Sequence, residues 1–116
     1  IDYCGSIEKA IQKASEYVIN HKFGLKIEVE ARTLEDVQKV LAFGKGKVFR
    51  IMLDNFSIDQ LREAVKMVNG QMETEASGGI NFENVISYAE TGVDFVSIGS
   101  LIHQARSLDL SLKAIK

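Results

Sequence analysis

Residues able to do chemistry recur at nearly even steps along this 116-residue chain: Glu30, Asp54, Ser77-Gly78-Gly79 and Gly99. Each stands at or just past the end of a short segment: residues 26–31 (KIEVEA), 49–54 (FRIMLD), 71–76 (QMETEA) and 94–99 (DFVSIG). Glycines let backbone N–H groups approach an anion closely, and the N-terminus of a following helix adds a favourable dipole. Ser77-Gly78-Gly79 therefore predicts a phosphate site, with the Ser77 hydroxyl as a further donor and Gly99-Ser100 adding N–H groups one segment later. An ordinary tight turn is the plainer alternative. Glu30 and Asp54 are suited to holding sugar hydroxyls or a Mg²⁺-bound polyphosphate, or to stabilising positive charge developing on a sugar.

The segments begin at residues 26, 49, 71 and 94, so their starts lie 23, 22 and 23 apart. A strand, a helix and two short loops need about that length, which reads as repeated βα units around a parallel sheet. In such sheets ligands sit at the carboxyl ends of the strands, where these residues fall. One helix is expected over 6–21, with Ser6 as its cap and Ile7, Ala10, Ile11, Ala14, Tyr17 and Val18 as its apolar stripe. A second starts at Thr33, approximates a capping box with Asp36, and ends with Gly44 just past its last turn. A third follows Ser57, with Gln60 at its third position and Gly70 as its stop. A fourth, capped by Asn81, is expected to bury Phe82, Val85, Tyr88 and Ala89. Strands are expected over 25–31, 49–53, 72–76 and 95–98. A short turn or helix is expected over 100–106, with LDLSL at 108–112 as a last strand or irregular edge.

Side chains alternate faces along a strand, so Glu28 and Glu30 share one face while Ile27 and Val29 share the other. The same parity groups Met52 with Asp54 and Glu73 with Glu75. The apolar set must face the helices, which turns the acids inward. Carboxylates there are costly unless paired or bound to a cation or substrate. Glu28 and Glu75 read as structural partners of Lys26 or Arg50.

A closed parallel barrel needs about 200–250 residues. The fold class is therefore α/β, part of a TIM-like (β/α) barrel, with about four parallel βα units preceded by a helix. Half a barrel leaves open strand edges, so a fragment, or a half that pairs with something else, is expected. A net charge of −2 provides no basic field for nucleic acid. No apolar run approaches the roughly 20 residues that span a membrane, and no signal peptide is visible. Cys4 is the sole cysteine and reads as a packing residue, consistent with a reducing, cytoplasmic setting. No CxxC or HExxH spacing suggests a metal cage. His21 ends a helix, where a cation suits the dipole, whereas His103 follows the fourth strand near the proposed phosphate. Lys9, Lys13, Lys39, Arg62 and Lys66 read as solvated helix faces.

KIEVEA followed by a helix, then RIMLDN, ETEASGGI, TGVDFVSIGSLIH and LDLSLK, closely resembles one family in a single register from about residue 1 to 116. That family is nicotinate-nucleotide pyrophosphorylase (carboxylating), or quinolinate phosphoribosyltransferase. The resemblance implies phosphoribosyl transfer from phosphoribosyl pyrophosphate to quinolinate with decarboxylation. The products are nicotinate mononucleotide, pyrophosphate and CO₂, formed with Mg²⁺ in NAD biosynthesis. It also implies an open α/β barrel with a separate N-terminal sandwich domain, in a homodimer or higher oligomer whose subunits complete one another's sites. On that basis residues 1–116 are the C-terminal portion of the barrel, without the sandwich domain and the barrel's first part.

By motif position, Glu30 and Asp54 look like the family's acidic pair at the phosphoribosyl pyrophosphate and Mg²⁺ site. Ser77, Gly78, Gly79 and Gly99 look like its phosphate binders. His103 matches the His of a GxLTHS segment, in which Ile102 and Gln104 here replace Thr and Ser. The family's Lys-Asp-Asn-His motif would end immediately before Ile1, and the Arg, His and Lys residues that hold the quinolinate carboxylates lie further upstream. This chain offers acids and glycines at its strand ends but almost no cations, so binding two anions requires positive charge from elsewhere. It is therefore expected to be inactive alone. Two alternatives stand beside this reading. One is a sister pyrophosphorylase with another acceptor, such as those encoded with molybdate transport. The other is a non-catalytic phosphate-binding half-barrel that assembles through its open edges.

Overall fold

The computed structural model describes residues 7–21 and 26–108, the side chains of 17–21 excepted. Nine elements follow one another there: α1 (Ile7–His21), β1 (Ile27–Ala31), α2 (Leu34–Gly44), β2 (Val48–Asp54), α3 (Ile58–Val68), β3 (Glu73–Ser77), α4 (Val85–Ala89), β4 (Phe95–Ile98) and β5 (Leu101–Gln104). One sheet holds all five strands in chain order. β1 to β4 pair in parallel, and β5 returns antiparallel along β4. This is the open, parallel-dominated α/β sheet expected from the repeat. The proposed cap Ser6, together with Cys4 and residues 109–112, lies outside the described residues.

Alternation along the strands divides the sheet into two faces. Val29, Ala31, Ile51, Leu53, Ala76 and Val96 are buried on the helix side, against Ile11, Val37, Val40, Leu61, Ala64, Val68 and Val85. Each such aliphatic side chain, Val or larger, contributes about 1.5–3 kcal/mol on burial. The opposite face carries Glu28, Glu30, Arg50, Met52, Glu73 and Glu75. β2 needs one irregularity to manage this. Ile27 pairs with Val48 but Glu28 pairs with Arg50, so Phe49 is an extra residue that keeps Val48 in the core and turns Arg50 toward the acids.

Helix starts follow local chemistry. Thr33 Oγ1 accepts from Asp36 N at 3.0 Å, while the Asp36 carboxylate accepts from Arg32 N rather than closing the box on Thr33. Ser57 and Gln60 form a complete capping box. Gly44 corrects an expectation: it is the last residue of α2, not a left-handed residue beyond it. It is needed for close approach, because a Cβ there would lie 2.6 Å from Val48 Cγ2.

Two other expectations change. Phe82 is 83% exposed rather than buried, because α4 begins only at Val85. Asn81 instead caps the preceding turn, its Oδ1 accepting from Glu83 N and Asn84 N. Residues 101–104 form β5 where a turn or helix over 100–106 is expected from the sequence, and helical backbone begins only at 105. β4 would otherwise present an unpaired backbone edge, and Gly99, at φ +63°, lets the chain reverse tightly enough to pair with it. No helix among the described residues is long and apolar enough to cross a membrane.

Candidate functional site

Asp54 and Ser77 close neighbouring strands and are register partners. Ser77 Oγ donates to Asp54 Oδ1 at 3.3 Å, and Asn55 N donates to the Ser77 carbonyl at 3.0 Å. Gly78 then turns with φ +89°, and a Cβ there would lie 2.8 Å from Asp54 Oδ1 and 2.7 Å from Asn55 Oδ1. Only glycine allows the β3 turn to close so tightly onto the end of β2. Glu30 joins from β1 through a residue the sequence reading missed. Arg32 Nε donates to Glu30 Oε1 at 2.9 Å and stands 3.8 Å from Asp54 Oδ2. Both carboxylates are three-quarters buried, while Arg32 is 60% exposed. Arg32 shares the parity of Glu28 and Glu30, which is the sequence signal pointing to it. Arg32 brings one cation to strand ends that otherwise carry acids and glycines.

The glycine turn, rather than a helix dipole, carries the phosphate reading. α4 has five residues, and the turn before it uses its own N–H groups: Asn81 N donates to Asn84 Oδ1 at 2.8 Å, and Asn81 Oδ1 takes two more. The Ser77 proton already rests on Asp54, so donating it to an anion means releasing that carboxylate. Gly99 forms the exposed β4–β5 turn. His103 pairs with Val96, whose side chain is buried on the helix side. Directly opposed residues share a face, so His103 is not brought to the Glu30–Asp54–Ser77 set.

Deeper on the acid-bearing face lies a second network. Glu75 is 1% exposed; its Oε2 accepts from Ser97 Oγ at 2.8 Å, and its Oε1 lies 3.5 Å from Arg50 Nη1. Arg50 donates to Glu73 Oε1 at 2.7 Å and stacks 4.2 Å from the Phe95 ring centroid. Burial works against the Arg50 charge, but Glu73, then Glu28 and Glu75, more than offset it and hold its pKa above the ordinary value. Partial burial, then the hydrogen bond and negative charge of Glu75, push Glu28 up to about 7. Because the Glu28 side chain remains exposed, the adjacent carboxyl is the stronger physical reason. Among the described residues Glu75 Oε1 has no hydrogen-bond donor, and a proton on Glu28 would supply one to this carboxyl. Arg50 is thus the partner expected for Glu75, whereas Lys26 lies over the Phe49 ring at 4.1 Å.

Two cavities among the described residues, of about 400 and 290 Å³, lie at the other end of the sheet. They are lined by residues such as Val48, Gly70, Glu73, Asp94 and Arg106, near the strands' amino ends. Asp94 there is structural, accepting from Thr74 N and Oγ1. Among the described residues no three His, Cys, Asp or Glu side chains group to hold a metal. Mg²⁺, however, commonly takes one or two carboxylates and completes its shell with water and substrate phosphates. Glu30 and Asp54 beside a glycine turn fit that mode.

Residues 1–113 match the family described as quinolinate phosphoribosyl transferase, C-terminal domain, and the chain belongs to it. The Nicotiana glauca protein named quinolinate phosphoribosyltransferase (decarboxylating) 2, mitochondrial, is 38% identical over 125 residues, covering 97% of this chain. The Arabidopsis thaliana protein named nicotinate-nucleotide pyrophosphorylase (carboxylating), chloroplastic, is likewise 38% identical over 97% of this chain. The chain spans 36% of the length of each of these relatives. The crystal structure of nicotinate-nucleotide pyrophosphorylase from Ehrlichia chaffeensis superposes with a TM-score of 0.71 at 38% identity, over 83% of this chain and 32% of that one.

Proposed function

We propose that this chain is the C-terminal barrel portion of an enzyme that transfers a phosphoribosyl group from phosphoribosyl pyrophosphate to quinolinate and decarboxylates the product. Nicotinate mononucleotide, pyrophosphate and CO₂ would be formed, on the path to NAD. The observation that carries this reading is the joining of Glu30, Asp54, Ser77 and Gly78 at three adjacent strand ends, in a chain of this family. The two carboxylates stabilise positive charge that develops on the ribose as pyrophosphate departs. The Gly78-Gly79 turn, with Gly99 one unit later, receives phosphate. Glu30 and Asp54 would hold Mg²⁺, which would supply positive charge to the departing pyrophosphate. His103 is proposed as an outer phosphate contact, reached only if β5 shifts.

The full enzyme is proposed to carry a separate N-terminal sandwich domain and the first part of the barrel, and to work as a homodimer or larger oligomer. The cations that recognise the quinolinate carboxylates come from those parts. The cytoplasm is one proposed location; the plant relatives named above are labelled mitochondrial and chloroplastic. In the complete protein, Glu30→Gln and Asp54→Asn are each expected to lower kcat/KM for nicotinate mononucleotide formation by about 100-fold or more. Mg²⁺-dependent turnover that survives both changes would remove the assignment of this site.

A further inference from the structure

We propose that Arg32 is the resident counter-cation of the strand-end site. It holds the Glu30 and Asp54 carboxylates side by side, yields them to Mg²⁺, and turns its guanidinium to the phosphate at Gly78-Gly79. This rests on the phosphoribosyl-transfer reading above. The Gly78 turn closes directly onto Asp54, a Cβ at Gly78 falling 2.8 Å from Asp54 Oδ1, so an anion taken by this turn would have that carboxylate as a near neighbour. Two anions that close repel strongly unless a cation stands with them. Arg32 occupies that place, 2.9 Å from Glu30 Oε1 and 3.8 Å from Asp54 Oδ2.

Three details make it a moving part rather than a fixed strut. Its backbone is held, because Arg32 N donates to Asp36 Oδ2 at 3.0 Å at the start of α2. Its side chain is 60% exposed, so the guanidinium can swing without disturbing the backbone. Asp54 divides its oxygens, with Oδ1 toward the Ser77 hydroxyl and Oδ2 toward Arg32. A metal joining Glu30 to Asp54 therefore competes for the oxygens Arg32 now faces. A guanidinium released from carboxylates is also well matched to phosphate, whose oxygens it can take two at a time. Arg32 is thus a positioning residue for the carboxylates and, once phosphate arrives, a contact to it.

The test uses the complete protein and calorimetric titration with Mg²⁺ alone, then with inorganic pyrophosphate in the presence of Mg²⁺. Arg32→Ala is expected to bind Mg²⁺ about fivefold more tightly, because a competing cation has gone. It is expected to bind pyrophosphate about tenfold more weakly, because the fork is lost. Arg32→Lys should restore the competition with Mg²⁺ but not the pyrophosphate affinity. Arg32→Gln is the second variant if Arg32→Ala loses the folded state by circular dichroism. Unchanged or weaker Mg²⁺ binding in the Ala or Gln variant, or unchanged pyrophosphate binding, overturns the proposal. The parent reading fails separately: if Glu30→Gln and Asp54→Asn leave Mg²⁺ affinity as in the wild type, there is no metal site for Arg32 to guard.

Discussion

Glu28 and Glu75 place two carboxyls within one hydrogen bond, and a shared proton is the simplest way to keep them there. A glutamate whose pKa rises from 4.5 to about 7 on folding binds more protons in the folded state across that window. Stability contributed by the proton is complete below pH 4.5 and declines as pH rises toward 7. Glu28→Gln keeps a donor for Glu75 but cannot titrate. The melting temperature of this variant, minus that of the wild type, is expected to increase between pH 5 and pH 8; a flat difference would show that the pair does not share a proton. Gly78 offers a second test at this scale. Gly78→Ala combines a left-handed φ with a Cβ inside contact distance of Asp54 and Asn55, a cost of about 2–4 kcal/mol. Thermal unfolding should record the loss, and pyrophosphate binding should weaken with it. Glu30, Asp54 and Ser77 were legible because strand parity and the βα period place them together. Arg32 was not, because a charged residue just after a strand looks like any solvated loop residue until Glu30 and Asp54 are seen on either side of it.

Elements with purely local causes were read well. The α2 and α3 starts depend on Thr33, Asp36, Ser57 and Gln60, all within three residues of their partners. Elements decided by distant neighbours were read less well. Whether 101–104 becomes strand or helix depends on the free edge of β4, which no local window contains. The late start of α4, and so the exposure of Phe82, depends on how Asn81 and Asn84 divide the hydrogen bonds of one turn. Gly44 has the look of a helix stop, yet its role depends on Val48 across the turn. Gly44→Ala would drive a methyl into a β-branched side chain that cannot easily turn aside. It is expected to cost about 1–3 kcal/mol, seen as a lower denaturant midpoint with an unchanged slope.

At the scale of the molecule, the sheet has one covered face and one bearing charge. The Glu30–Asp54–Ser77 set sits on the charged face, and among the described residues nothing stands opposite it to exclude water or supply the cations a dianionic acceptor needs. The 116-residue chain alone is therefore expected to form no nicotinate mononucleotide in a product assay, whereas detectable turnover would show that one wall is enough. The β4–β5 hairpin has a consequence of a different kind. Each βα unit repeats a single screw operation, and repetition by itself has no last step. The reversal at Gly99-Ser100 changes the sign of the series: β5 runs against its neighbour, and Leu101 and Ile102 stand exposed where another parallel strand would dock. A lengthened version made by duplicating one βα unit must splice the copy upstream of β4. Placed after Gln104, the copy would meet a strand of opposite polarity, and the right-handed crossover that built the rest of the sheet would have no parallel partner to return to.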